Sequence, residues 1–237
     1  MYHFNLNNKV ALVTGVADHL GIEICEMLEK AGAYVWQHQF NEDHLVEEIL
    51  TKLRTDGSKI QTITGDLRTP YTVKSLIGEI LDKSGKIDIL INLSEIASPR
   101  SLHELTPEEW LDTFAVNLDV PFLCCQEIIP LMVENGGGVI VNISSQAAET
   151  GGIGPHYAST KSALDSLTKG ILREYKEKGV RVNTISPSVQ LHDESLSEQI
   201  KKNIRATIAN MILLLSSSST CLVNGETLFI GKEATIK

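Results

Sequence analysis

Seven short apolar runs, rich in β-branched residues, recur along the 237-residue chain at 10–13, 34–36, 60–63, 87–91, 139–143, 180–185 and 227–230. Their length and composition predict buried strands. The segments between them carry apolar residues at helical spacing: Ile22, Cys25, Leu28 and Ala31, then Leu45, Ile49 and Leu53, then Val73, Ile77, Ile80 and Leu81. Strands that are apolar throughout and alternate with helices require a parallel sheet covered on both faces. The expected fold class is therefore α/β, a doubly wound three-layer α/β/α sandwich. No linker or repeat divides the chain, and residues 1–237 read as a single domain.

Local signals refine this order. Thr106, Pro107 and Glu109 make a capping box with proline at the first helical position, which starts a helix running through Trp110, Phe114 and Val116. Residues 121–132 read as a further helical stretch. A last helix, carrying Ile208 and Ile212, is expected to begin at Ala206, only 19 positions after Pro187.

A formal charge of −9 disfavours nucleic acid and anionic membrane as main partners, because phosphates are met by clustered Lys and Arg. Cys25, Cys124, Cys125 and Cys221 show neither CxxC pairing nor metal-ligand spacing. Each reads as a small buried apolar residue in a reducing, cytoplasmic setting, and no metal is expected. No signal peptide or membrane-spanning run is expected.

The stretch Thr14-Gly15-Val16-Ala17-Asp18-His19-Leu20-Gly21 follows the first strand and opens the first helix. There, glycines admit a pyrophosphate to the backbone while the helix N-terminus meets its charge. Further on, Tyr157 and Lys161 stand four residues apart, on one face of a helix. A phenol is a poor acid–base catalyst near neutrality, and an adjacent cation draws it toward the working range.

These segments resemble the short-chain dehydrogenase/reductase family, a Rossmann fold. The glycine turn matches its TGxxxGxG pattern at Thr14, Gly15 and Gly21, with His19 at the middle glycine. That side chain either crowds a pyrophosphate or tilts outward and donates to it. The resemblance spans Lys9 to about Gly231, and the ending, Asn224-Gly225-Glu226-Thr227-Leu228-Phe229-Ile230-Gly231, looks most like the 3-oxoacyl-carrier-protein reductase branch.

What the resemblance implies is a hydride transfer between nicotinamide and a ketone or secondary alcohol, with a small-molecule or carrier-bound substrate. Tyr157 would handle the proton. Ser145, with Ser144 second, would bond the carbonyl, and Lys161 would hold the ribose hydroxyls. Asn117 would hold a water linking the lysine to solvent. The expected dinucleotide contacts are Thr14, Gly15, His19, Leu20, Gly21, Gln39, Asp66, Leu67, Asn92, Tyr157, Lys161 and Pro187. Asp66 would bond the adenine amino group. The second strand ends in His38-Gln39-Phe40, with neither an acid for NAD nor a base for NADP, so NAD(H) and NADP(H) both stay open.

Three departures from the family pattern stand out. Asn92-Leu93-Ser94-Glu95 replaces its NNAG stretch, and Glu95 reads as a solvated loop carboxylate, with a tighter pocket as the alternative. Ser188 replaces the usual glycine after Pro187, and the following substrate lid is short. His156 and His192 read as solvated, with no assigned role. A homodimer or homotetramer is expected, through the helices carrying Asn117 and Tyr157 and the edge of the last strand. The competing class is a binding or regulatory protein that has lost ordinary cofactor affinity.

Overall fold

The computed structural model describes residues 4–41, 57–188 and 196–231. The predicted helix with Leu45, Ile49 and Leu53 lies outside the described residues, as does His192. All seven expected strands form: β1 (Val10–Thr14), β2 (Tyr34–Gln39), β3 (Ile60–Thr64), β4 (Ile89–Asn92), β5 (Gly138–Ile143), β6 (Val180–Pro187) and β7 (Thr227–Ile230). They pair in parallel in the order β3-β2-β1-β4-β5-β6-β7. The order reverses between β1 and β4, and this switch point opens a crevice at the carboxyl ends of the strands.

The side-chain alternation of each strand feeds two cores. Ala11, Val13, Val35, Ile89, Ile91 and Val141 pack with α1 (His19–Lys30) and α7 (Glu198–Ser216) through Ile24, Leu28, Ile208 and Ile212. Val10, Leu12, Trp36, Leu90, Ile140 and Val182 pack on the other face with α2 (Pro70–Ser84) and α4 (Val120–Glu134) through Val73, Ile80, Ile128 and Met132. The sheet is thus covered on both sides by apolar side chains of the flanking helices.

The Thr106 capping box is present and starts α3 (Pro107–Phe114). Between α3 and α4 the helix widens to a π turn at Ala115–Asp119, closed by Val120 N–H on the Ala115 carbonyl. The continuous run Pro107–Glu134 is long and apolar enough, by length and composition, to cross a membrane. Here Val120, Cys124, Cys125, Ile128 and Met132 are core residues instead. Downstream come α5 (Ala147–Thr150) and the long α6 (Pro155–Tyr175).

Four expectations need correction. β4 begins at Ile89, two residues later than the apolar pattern indicates. Helix α7 begins at Glu198 rather than Ala206, because Ser197 caps it by accepting from Ile200 N–H at 3.3 Å. Cys221 is exposed, unlike the other three thiols. His156 is fully buried at the start of α6, and its two ring nitrogens have no hydrogen-bond partner among the described residues.

Candidate active site

Lys161 and Tyr157 lie on one face of α6 and are 1% exposed each. Lys161 Nζ donates to the Ile143 carbonyl at the end of β5, at 2.9 Å, and lies 5.3 Å from the Tyr157 ring centre. The third member of the cluster is Glu95. One of its carboxylate oxygens, Oε2, is 2.8 Å from Lys161 Nζ and accepts from the Tyr157 hydroxyl at 3.0 Å. Burial works against the lysine charge, but the Glu95 carboxylate and the Tyr157 oxygen outweigh it, and Lys161 is held above the ordinary lysine range. Glu95 is therefore no solvated loop carboxylate; it is bonded to both residues of the expected catalytic pair.

Two tethers fix the backbone around Glu95. Thr14 Oγ1 accepts from the N–H groups of Leu93 at 3.2 Å and Ser94 at 3.4 Å. Asn117, in the π turn, accepts from Ile96 N–H at 2.7 Å and donates to the Ile96 carbonyl at 3.0 Å. The same amide donates to Thr160 Oγ1 at 3.2 Å, tying the loop to α6. The Asn117 side chain thus positions the loop that presents Glu95.

Ser145 lies two residues beyond β5, and its Oγ accepts from Ala147 N–H at 3.2 Å. Ser144 turns inward, with its hydroxyl donating to the Lys161 carbonyl at 3.4 Å.

A cleft of about 380 Å³ runs from this cluster over the glycine turn. Gly15, His38, Phe40, Asp66, Arg68 and Glu95 are among the residues lining it, and Leu67 closes its floor. Of the expected contacts, Gly15, Asp66 and Leu67 line this cleft. Thr14, Leu20, Gln39 and Asn92 are buried beside the cleft instead of lining it. Gln39 falls out because strand alternation gives the cleft to its neighbours His38 and Phe40. Asn92 falls out because it donates to Asn142 Oδ1 at 2.7 Å, starting a buried chain through Thr168 to Thr184 that crosses β4, β5 and β6. Gly21 is buried in the first turn of α1, where an added Cβ would press on Val16. His19 is exposed at the first position of α1, and Pro187 closes β6.

The roles of Asp18, beside the cleft, and of Arg68 and His38, which line it, emerge only in the structure. Asp18 caps α1 by accepting from Gly21 N–H at 3.0 Å. Arg68 forks onto Asp66 at 2.8–3.1 Å and lies 5.0 Å from the Phe40 ring centre. That bonding holds the Asp66 carboxyl below its usual range. His38 bridges the turn: its Nδ1 accepts from Gly15 N–H at 3.2 Å, and its Nε2 sits 2.7 Å from the Gly65 carbonyl. This pairing fixes the neutral Nε2–H tautomer.

Burial pushes the His38 pKa below its ordinary 6.5, against the opposing pull of the Gly65 carbonyl and Asp66. Because the folded state prefers the neutral ring, the His38 contribution is complete above the ordinary histidine range and declines as pH falls through it. Replacement His38→Gln is expected to shrink the Tm difference between about pH 7.5 and about pH 5.5, measured by calorimetry. An unchanged difference would show that His38 does not carry it.

The crevice suits a dinucleotide at its adenosine end: it has a ligand-sized volume, a glycine-bearing turn, and a helix N-terminus facing it. Gly15 takes φ +68°, and a Cβ there would overlap Ser94 Cα, so only glycine keeps the turn this close to the β4 loop. Fold and site together define an NAD(P)-dependent oxidoreductase.

Comparison with known proteins agrees. Residues 9–203 match the model of the short chain dehydrogenase family. The chain is 32% identical to D-threitol dehydrogenase of Mycolicibacterium smegmatis, over 100% of this chain and 96% of that protein. It is 27% identical to 3-oxoacyl-(acyl-carrier-protein) reductase FabG of Staphylococcus aureus, over 94% of this chain and 96% of that protein. A gluconate 5-dehydrogenase from Burkholderia cenocepacia, solved with NADP and tartrate, superposes with a TM-score of 0.85 at 27% identity, covering 96% of this chain and 95% of that one. The chain belongs to the short chain dehydrogenase family.

Proposed function

We propose that the enzyme interconverts a ketone and a secondary alcohol, with Tyr157 as proton donor and acceptor. The observation that carries this reading is the convergence of the Tyr157 hydroxyl and Lys161 Nζ on a single oxygen of Glu95, a residue that lines the cleft. The nicotinamide, when bound, supplies the hydride chemistry. Tyr157 gives the proton to, or takes it from, the substrate oxygen. Ser145 donates a hydrogen bond to that oxygen, Lys161 holds the ribose hydroxyls, and Asn117 keeps the Glu95 loop in register. Gly15, Asp66 and Leu67 take the adenosine half. Arg68 is already paired with Asp66 and lies 3.6 Å from Asp112, so NAD(H) is expected to bind more tightly than NADP(H).

For the substrate, D-threitol dehydrogenase and the gluconate enzyme favour a small polyhydroxylated compound, and the carrier protein reductase a carrier-bound 3-oxoacyl group. We favour the small compound, because a chain of charge −9 is poorly suited to an acidic carrier. Initial rates at 340 nm on a panel of C4–C6 polyols, sugar acids and a 3-oxoacyl thioester test this. Turnover confined to the thioester contradicts the small-substrate reading, and turnover of none together with absent cofactor binding favours the regulatory alternative.

The setting is reducing and cytoplasmic, in keeping with four free thiols among the described residues. The assembly is a homodimer or homotetramer. A groove between α4 and α6, lined by Phe122, Ile129, Leu167 and Tyr175, and the sheet edge at β7 are its contact surfaces. A monomer in sedimentation velocity at micromolar concentration would contradict this.

A further inference from the structure

We propose that Glu95 is a built-in competitor of the dinucleotide, holding Lys161 and the Tyr157 proton in the free enzyme and giving them up when the nicotinamide-side ribose binds. The proposal rests on Lys161 being the ribose ligand, as argued above. An ammonium has three N–H donors. One of those on Lys161 is committed to the Ile143 carbonyl at 2.9 Å and a second meets Glu95 at 2.8 Å. Gripping both hydroxyls of a ribose diol needs two donors, so the carboxylate must leave.

The exit is built. Glu95 lines the dinucleotide cleft, and its side chain is 29% exposed while that of Lys161 is 1% exposed. The loop itself cannot swing, because Thr14 holds Leu93 and Ser94 on one side and Asn117 holds Ile96 on the other. Motion is therefore confined to the side-chain torsions of Glu95, which can rotate outward into the cleft.

Displacement changes the chemistry of the phenol as well as the affinity. With Glu95 in place, its negative charge faces both the Lys161 ammonium and the Tyr157 hydroxyl, cancelling the cation that would favour a phenolate. The hydroxyl hydrogen points at the carboxylate, away from any substrate oxygen. Once the carboxylate withdraws, Lys161 acts on the phenol uncompensated, and the hydroxyl no longer points its hydrogen at Glu95. Cofactor binding and activation of the acid–base group are thereby one event, and by linkage the carboxylate lowers dinucleotide affinity.

The test uses the full-length protein with Glu95→Ala and Glu95→Gln. Calorimetric titration with NADH is expected to show binding at least about tenfold tighter in Glu95→Ala than in the wild type. Phenol ionisation in the cofactor-free enzyme is followed by ultraviolet difference absorbance, with Tyr157→Phe in each background isolating the signal of this one tyrosine. In the near-isosteric Glu95→Gln it is expected to move down by about one pH unit or more. Tightening together with the downward phenol shift supports the proposal. Wild-type binding with unchanged affinity and titration in the variants overturns it and leaves the dehydrogenase reading standing. Weaker binding in both variants overturns it by making Glu95 a cofactor ligand. Failure of NADH and NADPH to bind wild type and variants alike overturns it along with the dehydrogenase reading.

Discussion

Replacing Tyr157 with Phe is expected to reduce kcat by roughly 10²–10⁴-fold while leaving the Kd for NADH within about threefold of wild type. The Tyr157 ring, on α6, is buried at 1% exposure, so Phe preserves its shape and removes only the hydroxyl. That hydroxyl hydrogen-bonds Glu95 Oε2, whereas Gly15, Asp66 and Leu67 line the cleft at the adenosine end. Steady-state rates and calorimetric titration, run on the same preparation, separate the two quantities. Near-normal kcat would remove Tyr157 from the chemistry, and a large loss of affinity would make it a binding group.

The second large effect is at the glycine turn. Gly15→Ala is expected to destabilise the fold by about 1–3 kcal/mol and to weaken dinucleotide binding by at least about tenfold. The backbone there has φ +68°, and the new Cβ would overlap Ser94 Cα and approach Ser94 N to 2.8 Å, so backbone rather than a flexible side chain must give way. The displaced segment is the one held by Thr14 on its way to Glu95, which couples the turn to the catalytic cluster. Thermal melts and NADH titrations check the two parts. An unchanged Tm with unchanged affinity would mean that the turn can relax away from the β4 loop.

The fold was legible because its determinants are local and periodic. Seven apolar runs became seven strands, the capping box at Thr106 became the start of α3, and the apolar spacing of Val73, Ile77 and Ile80 became the buried face of α2. The positions of Tyr157 and Lys161 followed from helical spacing alone. The expected start of α7 falls too late, although Ile200 and Ile204 continue the four-residue spacing of Ile208 and Ile212, and the mark of its first residue is the cap Ser197.

The site was legible only in part, because it depends on which face a residue takes and on contacts distant in sequence. Gln39 and Asn92 sit in the right segments, yet strand alternation buries one and an amide pair with Asn142 claims the other. Glu95 lies 62 positions from Tyr157, and nothing in a loop stretch Leu-Ser-Glu announces that its carboxylate will reach the phenol and the ammonium. Its substitution for a glycine of the family pattern was the available signal. His38 and Arg68 gave weaker ones, since a histidine at a strand end and an arginine two residues after an acid are ordinary in loops, and their partners Gly15, Gly65 and Phe40 emerge only in three dimensions.

The dinucleotide cleft is the claim on which the remaining assignments depend, and calorimetric titration of the wild-type chain with NADH and with NADPH tests it most directly. Saturable binding at one site per chain is expected, tighter for NADH than for NADPH. Absence of heat from either compound up to millimolar concentration would contradict it.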